Sequence, residues 1–391
     1  MNITYNQPLQ LLNNLTPAQF LAEYWQKKPL LIRQAIPNFK GLISPNDLSG
    51  LACEEGVQAR VIEQKKGKWS IQNSPFDETD FTKLPQGTNK KSDWTLLVQS
   101  VNHYLPEAAD LLAQFNFIPH ARLDDLMVSY APAGGGVGAH VDSYDVFLLQ
   151  GSGNRNWKIS AQSDLSLVED VPLRILEHFE TEQEWTLEAG DMLYLPPQIA
   201  HWGVSMSDDC MTYSIGFRAP KTQELMHEFL SYLQDNMAAD GLSVDSLYRD
   251  PDLSLQTHPA EISQDMIKQV SATLQTMTWD NSHIADFLGK YLTEPKPDVV
   301  FDAPRKISLA TFCRQLVTKS LYLDLKSQML FSHDQFYLNV EQLTVTAELS
   351  ACMRDLADKR CLITTALQAN IHAALAEALF ESYLAGYVDI R

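Results

Sequence analysis

The chain has 391 residues, more than one ordinary domain holds, and 45% of them are hydrophobic while 20% are charged. No stretch approaches the roughly 18 to 20 consecutive apolar residues of a membrane span, and the N-terminus lacks a secretory signal, so we expect a cytoplasmic protein of two or three domains with no membrane association. The formal net charge of −19 opposes direct binding to nucleic acid and is compatible with a basic protein partner, although acidity can also serve solubility alone.

The first predicted elements are a helix and a strand. Thr16 suits an N-cap, Pro17 suits the first helical turn, and Phe20 and Tyr24 fall on one helical face before the predicted strand KKPLLIR. From about residue 30 to about residue 220, short apolar or alternating runs follow, separated by Gly, Pro, Asn and Asp. They include WTLLVQSV, LMVSYA, YDVFLLQ, NWKIS, DMLYLPP and MTYSIGF. Many short strands predict a β-sandwich or barrel.

Helical periodicity begins after Pro220. It is seen in TQELMHEFLSYLQDNM, between Ile262 and Met277, and in HIADFLGKYL. The segment TEPKPDVVFDAP contains three prolines and is the best linker candidate. A helix at LATFCRQLVTKS, strands at LYLDLK and QFYLNVEQLTV, and further helices from ELSACMRDLA then suggest a winged-helix-like unit. The whole pattern predicts an α+β protein.

The run GGGVGAHVDSYDVFLLQ contains two candidate metal ligands. His140 and Asp142 are two residues apart at the start of an apolar run, and the period of two on a strand predicts that both side chains project to the same face. His201, in GDMLYLPPQIAHWGVS, follows another predicted strand that a jelly roll could bring close. Two histidines and a carboxylate suit non-haem Fe(II), because they leave three positions for a bidentate oxoacid and dioxygen. Since an HxD pair alone is common by chance, the prediction depends on all three residues.

Arg155, in GSGNRNWKIS, is a candidate ligand for the co-substrate. A guanidinium there could hold the distal carboxylate of 2-oxoglutarate through a bidentate pair. Without the three metal ligands, a solvent-exposed hairpin arginine would be the better interpretation. The glycine run at 134–136 leads into a strand and lacks GK[ST], so it predicts a mobile lip over the site and not a phosphate-binding loop.

Five segments of the chain are similar to segments of a known family. They are EYWQKKPLLIRQA, WTLLVQSVNHY, RLDDLMVSYAPAGGGVGAHVDSYDVFLLQGSGNRNW, GDMLYLPPQIAHWGVS and YSIGFRAP. With them the chain resembles the bacterial ribosomal oxygenases of the JmjC family over nearly its whole length, the C-terminal third by layout alone. The resemblance implies a double-stranded β-helix (cupin or JmjC jelly roll) catalytic domain at 1–220, a helical dimerisation segment at 221–295 and a winged-helix-like domain at 300–391, and hence a homodimer.

The resemblance also implies roles for single residues. His140, Asp142 and His201 match the iron(II) ligands, and Arg155 matches the residue that binds 2-oxoglutarate. The positions that line the family's pocket for a substrate arginine are matched by Asp125, Met127, Tyr144 and Ser214. The implied reaction uses dioxygen to hydroxylate C-3 of an arginine in a large-subunit ribosomal protein. A carboxylate can pair with a guanidinium, but a solvated turn for Asp125, and core positions for Met127 and Tyr144, are the alternatives.

Two other functions stay open from the sequence. Another JmjC reaction, such as histidine hydroxylation or N-methyl demethylation, shares the metal ligands and differs only in the pocket. A binding module, either a cupin with a structural metal or a winged-helix protein with a vestigial barrel, is disfavoured by the complete ligand set together with Arg155. Peptide mass spectrometry distinguishes them, because only an arginine hydroxylase adds an oxygen atom to arginine.

Overall fold

The computed structural model describes residues 6–85, 93–236 and 247–391. The chain divides into two compact units, each made of several segments. The first comprises Met1–Ala219, Lys296–Asp302 and Asp324–Lys326, and the second comprises Pro220–Pro295, Ala303–Leu323 and Ser327–Arg391. The predicted boundaries at 1–220, 221–295 and 300–391 stay a prediction. Within the described ranges, no helix combines the length and apolar character needed to cross a bilayer.

The first unit is built mainly from short strands, as its alternating runs predict. They are β1 (Leu30–Ile32), β2 (Ala59–Lys65), β3 (Lys68–Asn73), β4 (Asp93–Val98), β5 (Leu123–Ala131), β6 (His140–Val141), β7 (Val146–Ser152), β8 (Arg155–Ser160), β9 (Gln183–Leu187), β10 (Met192–Leu195), β11 (Ala200–Ser205) and β12 (Cys210–Phe217). Its helices are α1 (Pro17–Glu23), α2 (Pro45–Leu51), α3 (Glu78–Thr82) and α4 (Pro106–Ala113). The predicted start of α1 is confirmed, since Thr16 and Gln19 form a reciprocal capping box.

Two antiparallel sheets pack face to face in this unit. In the described residues, eight strands form the larger sheet in the order β1-β10-β7-β12-β5-β4-β2-β3, and four form the smaller sheet in the order β6-β11-β8-β9. Leu148 and Leu193 of the larger sheet and Trp157 and Ile159 of the smaller sheet belong to one buried apolar cluster. Because neighbouring strands are mostly distant in sequence, residues far apart along the chain lie side by side, as a jelly roll requires.

The other face of the larger sheet is covered by the N-terminal helices. Phe20 of α1 and Phe115, which follows α4, pack against Phe147 of β7 with ring centroids 5.5 and 4.9 Å apart. Full burial of each such ring contributes roughly 1.5 to 3 kcal/mol to folding. Leu126 of β5 and Tyr213 of β12 belong to the same core. Since strand residues alternate between faces, the residues next to these two face the smaller sheet, where the site lies.

The second unit combines helices with two small sheets. Its helices are α5 (Thr222–Asn236), α6 (Gln264–Leu274), α7 (Asn281–Thr293), α8 (Leu309–Leu316), α9 (Ser350–Lys359) and α10 (Ala369–Leu384). Its strands are β13 (Leu321–Leu323), β14 (Met329–Ser332), β15 (Gln335–Leu338), β16 (Glu341–Leu343), β17 (Cys361–Leu362) and β18 (Val388–Ile390). They pair in the orders β17-β13-β18 and β14-β15-β16. Phe312, Leu356 and Leu379 join α8, α9 and α10 in one buried core. Met237, the last residue of the helix predicted at TQELMHEFLSYLQDNM, lies outside the described residues.

Candidate metal and co-substrate site

Three predicted metal ligands lie together at the β6 edge of the smaller sheet. His140 of β6 is directly opposite His201 of β11 in the antiparallel register, so both imidazoles project from one face, with ring centroids 4.2 Å apart. Nε2 of His140 lies 3.9 Å from Oδ1 of Asp142, and Nε2 of His201 lies 3.5 Å from Oδ2 of Asp142. These separations are longer than normal hydrogen bonds and leave room for one ion among the three side chains.

Hydrogen bonds behind each imidazole determine which nitrogen faces the site. Nδ1 of His140 lies 3.1 Å from the Gly138 carbonyl, and Nδ1 of His201 lies 2.9 Å from the Ile199 carbonyl. A carbonyl only accepts, so each Nδ1 carries the proton and each Nε2 directs a lone pair toward Asp142. Burial, and then the neighbouring His140, lowers the pKa of His201 to about 4. This imidazole is therefore neutral, as a metal ligand must be, at neutral pH.

Backbone and side-chain contacts fix the turn that carries Asp142. The N–H of Gln198, a residue with φ of 66° in the turn before β11, donates to the Asp142 carbonyl at 2.8 Å. Asp145, three residues beyond Asp142, is fully buried and accepts hydrogen bonds from the Tyr194 hydroxyl at 2.6 Å and from Nε2 of Gln26 at 2.9 Å. The turn is thus held on both sides, which restricts the position of the carboxylate.

The donor set fits iron(II). Among the described residues, His140, Asp142 and His201 form the group of histidine, cysteine and acidic side chains that could hold a metal ion, with ligand atoms within 4.8 Å of one another. Two imidazoles and one carboxylate on one side of an ion are the facial set typical of non-haem Fe(II), and this set leaves positions for co-substrates.

Arg155 presents an unpaired buried cation to the same inner face. It is 3% exposed, and burial lowers its pKa. Nη2 donates to the Gly203 carbonyl at 3.2 Å, whereas Nε and Nη1 have no hydrogen-bond partner in the part of the chain that the structure describes. A buried guanidinium without an anion is unfavourable, so the site is suited to a carboxylate that would fill this gap. Its charge also contributes to the lowered pKa of His201, which places it close to the metal ligands.

Gly203 makes room for the arginine and for Trp157. It lies opposite Trp157 in the β8–β11 register. A Cβ at position 203 would lie 2.6 Å from the Trp157 ring and 2.7 Å from Nε of Arg155. The indole Nε1 of Trp157 is buried without a hydrogen-bond partner among the described residues. Sequence reasoning missed both residues, although their spacing from His201 and Arg155, two positions along the same strands, places them on the inner face.

The glycine run, predicted as a mobile lip, packs against β11. The N–H of Gly134 donates to the Ser205 carbonyl at 2.7 Å, and a Cβ on Gly136 would lie 2.5 Å from the Gly203 carbonyl. Glycine is therefore needed at position 136 for close backbone approach.

The four predicted pocket residues lie on or beside the inner face of the larger sheet. Met127 of β5 is opposite Ser214 of β12, and Asp125 shares their face because it precedes Met127 by two residues. Asp125 and Ser214 are 6% and 7% exposed, which excludes a solvated turn for Asp125, whereas Met127 is half-buried. Tyr144, beside β7, is 39% exposed, yet desolvation of its hydroxyl, and then the charges of Asp142 and Asp125, raise its pKa. Its hydroxyl therefore lies within electrostatic reach of both the metal site and Asp125.

Two residues that sequence reasoning missed contact the Asp125 carboxylate. Ser100 donates to Oδ2 from its backbone N–H at 2.9 Å and from its hydroxyl at 3.1 Å. Nζ of Lys296 lies 3.7 Å from the same oxygen and 3.0 Å from Oδ1 of Asp124. No local signal marks either residue, since Ser100 follows an ordinary strand and Lys296 belongs to the proline-rich segment predicted as a linker.

Comparisons with known proteins agree with this architecture. Residues 110–225 match the family described as JmjC domain, and residues 276–389 match the family described as ROXA-like winged helix. The chain is 34% identical to ribosomal protein uL16 3-hydroxylase of Escherichia coli K12 over 73% of this chain and 76% of that protein. It is 40% identical to a probable ribosomal oxygenase of Haemophilus influenzae over 64% of this chain and 59% of that protein.

A solved structure extends the similarity to nearly the whole chain. The Escherichia coli ribosomal oxygenase YcfD in complex with cobalt and 2-oxoglutarate is 29% identical to this chain, with a TM-score of 0.78 over 96% of this chain and 98% of that one. The predicted fold class, a JmjC jelly roll with a winged-helix domain, is confirmed. The chain therefore belongs to the JmjC family of ribosomal oxygenases.

Proposed function

We propose that this chain is an Fe(II)- and 2-oxoglutarate-dependent oxygenase that hydroxylates C-3 of an arginine in the large-subunit ribosomal protein uL16. The observation that carries the proposal is the convergence of His140, Asp142 and His201 on the inner face where Arg155 presents two unpartnered nitrogens. The three ligand residues are suited to the metal, and Arg155 is suited to the far carboxylate of the co-substrate. A relative that carries the name uL16 3-hydroxylase, and a similar structure with cobalt and 2-oxoglutarate, support both parts.

Each residue of the site has a defined task in this proposal. His140, Asp142 and His201 would hold the metal, and Arg155 would orient 2-oxoglutarate by its distal carboxylate. Bound iron(II) with 2-oxoglutarate and dioxygen supplies the oxidising power that an unactivated methylene requires. The Trp157 ring neighbours both Arg155 and His201, with centroid distances of 5.1 Å to the guanidinium carbon and 5.9 Å to the imidazole ring, and helps to exclude water.

The pocket residues favour a cationic substrate side chain. Ser100 and Lys296 engage Oδ2 of the buried Asp125 carboxylate, whereas Oδ1 accepts no hydrogen bond from the described residues and is available to a cation. Met127 and Tyr144 offer apolar surface to the aliphatic stem of an arginine, and Ser214 offers a hydroxyl beside Met127. Held by its guanidinium at Asp125, the stem would extend past Tyr144 toward Asp142, which would bring a methylene close to the metal. Histidine is a weaker candidate, since its ring is mostly neutral at neutral pH.

Mass spectrometry of the substrate tests the proposal. Purified protein is incubated with Fe(II), 2-oxoglutarate, dioxygen and uL16 peptides, with Asp142→Ala as the inactive control. One additional oxygen on an arginine, absent with Asp142→Ala, is the expected result. Oxygen added to histidine, or loss of a methyl group from lysine, would replace the proposed reaction with another of the family. No change in any peptide together with 2-oxoglutarate binding would favour a non-catalytic module.

We also propose that the chain forms a homodimer through helices of the second unit. α6 is eleven residues long and has no buried residue, yet one of its faces is apolar. Met266, Val270 and Leu274 follow a spacing of four on this face and are 43%, 41% and 57% exposed. A short helix with an uncovered apolar face gains its stability from packing, and the same face on a second copy can supply it.

Light scattering of the purified protein tests the dimer. Val270→Asp and Leu274→Asp place charges on the apolar face of α6 and are expected to yield monomers. Ala272→Asp lies on the opposite face of the same helix, so it should leave the dimer intact. A wild-type monomer, or a dimer unaffected by both apolar-face variants, would contradict the proposal.

The charge of the chain supports the proposed partner. A net charge of −19 attracts a basic ribosomal protein and disfavours direct contact with nucleic acid. With a ribosomal protein as substrate, we place the reaction in the cytoplasm.

A further inference from the structure

The two oxygens of the Asp125 carboxylate have different surroundings. Oδ2 accepts both hydrogen bonds of Ser100 and lies 3.7 Å from Nζ of Lys296. Oδ1 has no hydrogen-bond partner within the described ranges. It is directed toward β12, where a Cβ added to Gly216 would lie 3.8 Å from it. Gly216 is two residues beyond Ser214 on the same inner face, so Oδ1 faces the strand that carries the pocket residue Ser214.

Ser100 adopts an unusual backbone conformation that serves this contact. Its φ of 51° and ψ of 38° are left-handed, a region that residues other than glycine rarely adopt. In this conformation the N–H and the hydroxyl both point at one oxygen of Asp125. The Asn102 side chain accepts the N–H of Leu126 at 2.9 Å, which ties the same segment to β5. Strained residues of this kind persist where the surrounding contacts determine them, often at functional sites.

Lys296 is the cation that faces the carboxylate pair. Its side chain is 33% exposed, and its Nζ lies 3.0 Å from Asp124 and 3.7 Å from Asp125. Nε of Arg218 lies 3.7 Å from Asp124 on the same side. Burial raises the pKa of Asp125, and Lys296 opposes that effect. Lys296 and the hydrogen bonds of Ser100 thus favour the charged form of Asp125, against burial and the neighbouring Asp124.

We propose that Lys296 and Ser100 are positioning residues that hold Oδ2 of Asp125, so that Oδ1 receives the cation of the substrate. The inference rests on the proposed function, because it takes Asp125 as the group that recognises the substrate arginine. It adds that recognition depends on Lys296, which reaches the pocket from a segment remote in sequence. The arrangement selects a side chain with a permanent positive charge.

Steady-state kinetics with a uL16 arginine peptide test the role of Lys296. Lys296→Met keeps the aliphatic stem and removes the charge, so the KM for the peptide should rise about tenfold or more, while kcat and peptide-independent 2-oxoglutarate turnover stay unchanged. Lys296→Arg restores the charge and should restore the KM. Lys290→Met is the matched control, because Lys290 is equally exposed at 31% and is also paired with an aspartate, Asp286, at 2.7 Å.

The pH profile distinguishes positioning from a merely structural role. The charged and titratable groups that face Asp125 are Lys296, Asp124 and Tyr144, with Arg218 acting through Asp124. Protonation of Asp125 weakens cation binding, so the KM should rise as the pH falls. Without Lys296 the carboxylate protonates more easily, and this rise should begin at a higher pH in Lys296→Met but not in Lys296→Arg. In an Asp125→Asn background, Lys296→Met should cause no further increase in the KM for the peptide.

The possible failures can be told apart. A wild-type protein that hydroxylates the arginine peptide, together with a Lys296→Met variant of unchanged KM and pH profile, would overturn the inference alone. A wild-type protein that hydroxylates no arginine peptide would overturn the proposed function and the inference with it. If thermal melting shows that Lys296→Met does not fold, the KM of Ser100→Ala for the peptide is measured instead. This variant removes only the hydroxyl contact with Asp125. A raised KM in that variant supports the inference, and an unchanged KM overturns it.

Discussion

The guanidinium carbon of Arg155 lies 5.1 Å from the centroid of the Trp157 ring, two residues along the same strand. Contact with the ring limits the orientations of the guanidinium, while the hydrogen bond from Nη2 to Gly203 fixes one of its edges. The remaining donors, Nε and Nη1, are unpartnered among the described residues. The site thus contains a preoriented cation before any co-substrate binds, which lowers the ordering cost of binding.

Arg155→Met should weaken 2-oxoglutarate binding without affecting the metal. Methionine keeps an apolar stem against Trp157 but removes the charged fork, and a hydrogen bond to a charged group contributes about 1.5 to 3 kcal/mol. The apparent affinity for 2-oxoglutarate should therefore fall about tenfold or more, measured as KM and by direct titration. Arg155→Lys keeps the charge and should lose less affinity for 2-oxoglutarate than Arg155→Met. An unchanged KM in Arg155→Met would mean that another cation holds the co-substrate.

Gly203→Ala should weaken 2-oxoglutarate binding by overpacking the site. The added Cβ would meet the Trp157 ring at 2.6 Å and Nε of Arg155 at 2.7 Å, and overpacking of this kind costs about 1 to 3 kcal/mol. We expect a lower free energy of unfolding in urea and a higher KM for 2-oxoglutarate. Gly50→Ala is the control, because nothing lies within 4 Å of a Cβ at that helical position. An equal free energy of unfolding and an equal KM for 2-oxoglutarate in the two variants would refute the packing role of Gly203.

Metal binding should require all three ligands. His140→Ala, Asp142→Ala and His201→Ala each leave two donors, too few for a stable facial site, so Fe(II) binding and 2-oxoglutarate turnover should both be lost. Anaerobic calorimetric titration with Fe(II) measures the first, and circular dichroism checks the fold. His178→Ala serves as control, since His178 is 66% exposed and pairs with the exposed Asp164. Full activity in any of the three ligand variants would exclude that residue as a ligand.

Sequence patterns with a local physical cause predicted much of the site. The two-residue spacing of His140 and Asp142 specifies a shared face wherever the strand lies, and the N-cap at Thr16 depends only on the next three residues. A prediction of this kind needs no knowledge of the tertiary structure. The pairing of His201 with His140 followed only from the expectation that a jelly roll joins distant strands.

Contacts that depend on tertiary proximity could not be predicted in the same way. Ser100 has a left-handed backbone that directs its N–H and hydroxyl at Asp125, and no propensity of serine suggests this. Lys296 lies between prolines in a segment typical of linkers, yet it forms an ion pair with Asp124. The close packing of the glycine run was missed for the same reason, because the Gly203 carbonyl that Gly136 approaches belongs to a distant strand.

Asp125→Ala should separate substrate recognition from the chemistry at the metal. An arginine in this pocket would lose its anionic partner, and leaving one member of a buried charge pair unpaired costs about 2 to 5 kcal/mol. Hydroxylation of the arginine peptide should therefore fall at least tenfold, measured by mass spectrometry. Peptide-independent turnover of 2-oxoglutarate should survive, because Asp125 contacts Ser100 and Lys296 and none of the three metal ligands.

The comparison of the two assays determines the role of Asp125. Asp125→Asn, which keeps the shape of the side chain and the acceptor for Ser100, should show the same divergence, since the charge and not the shape pairs with a guanidinium. Normal peptide hydroxylation in Asp125→Ala would place the substrate cation elsewhere. Parallel loss of both activities would instead indicate that Asp125 supports the fold around the metal, because a residue that only recognises the substrate has no effect when the peptide is absent.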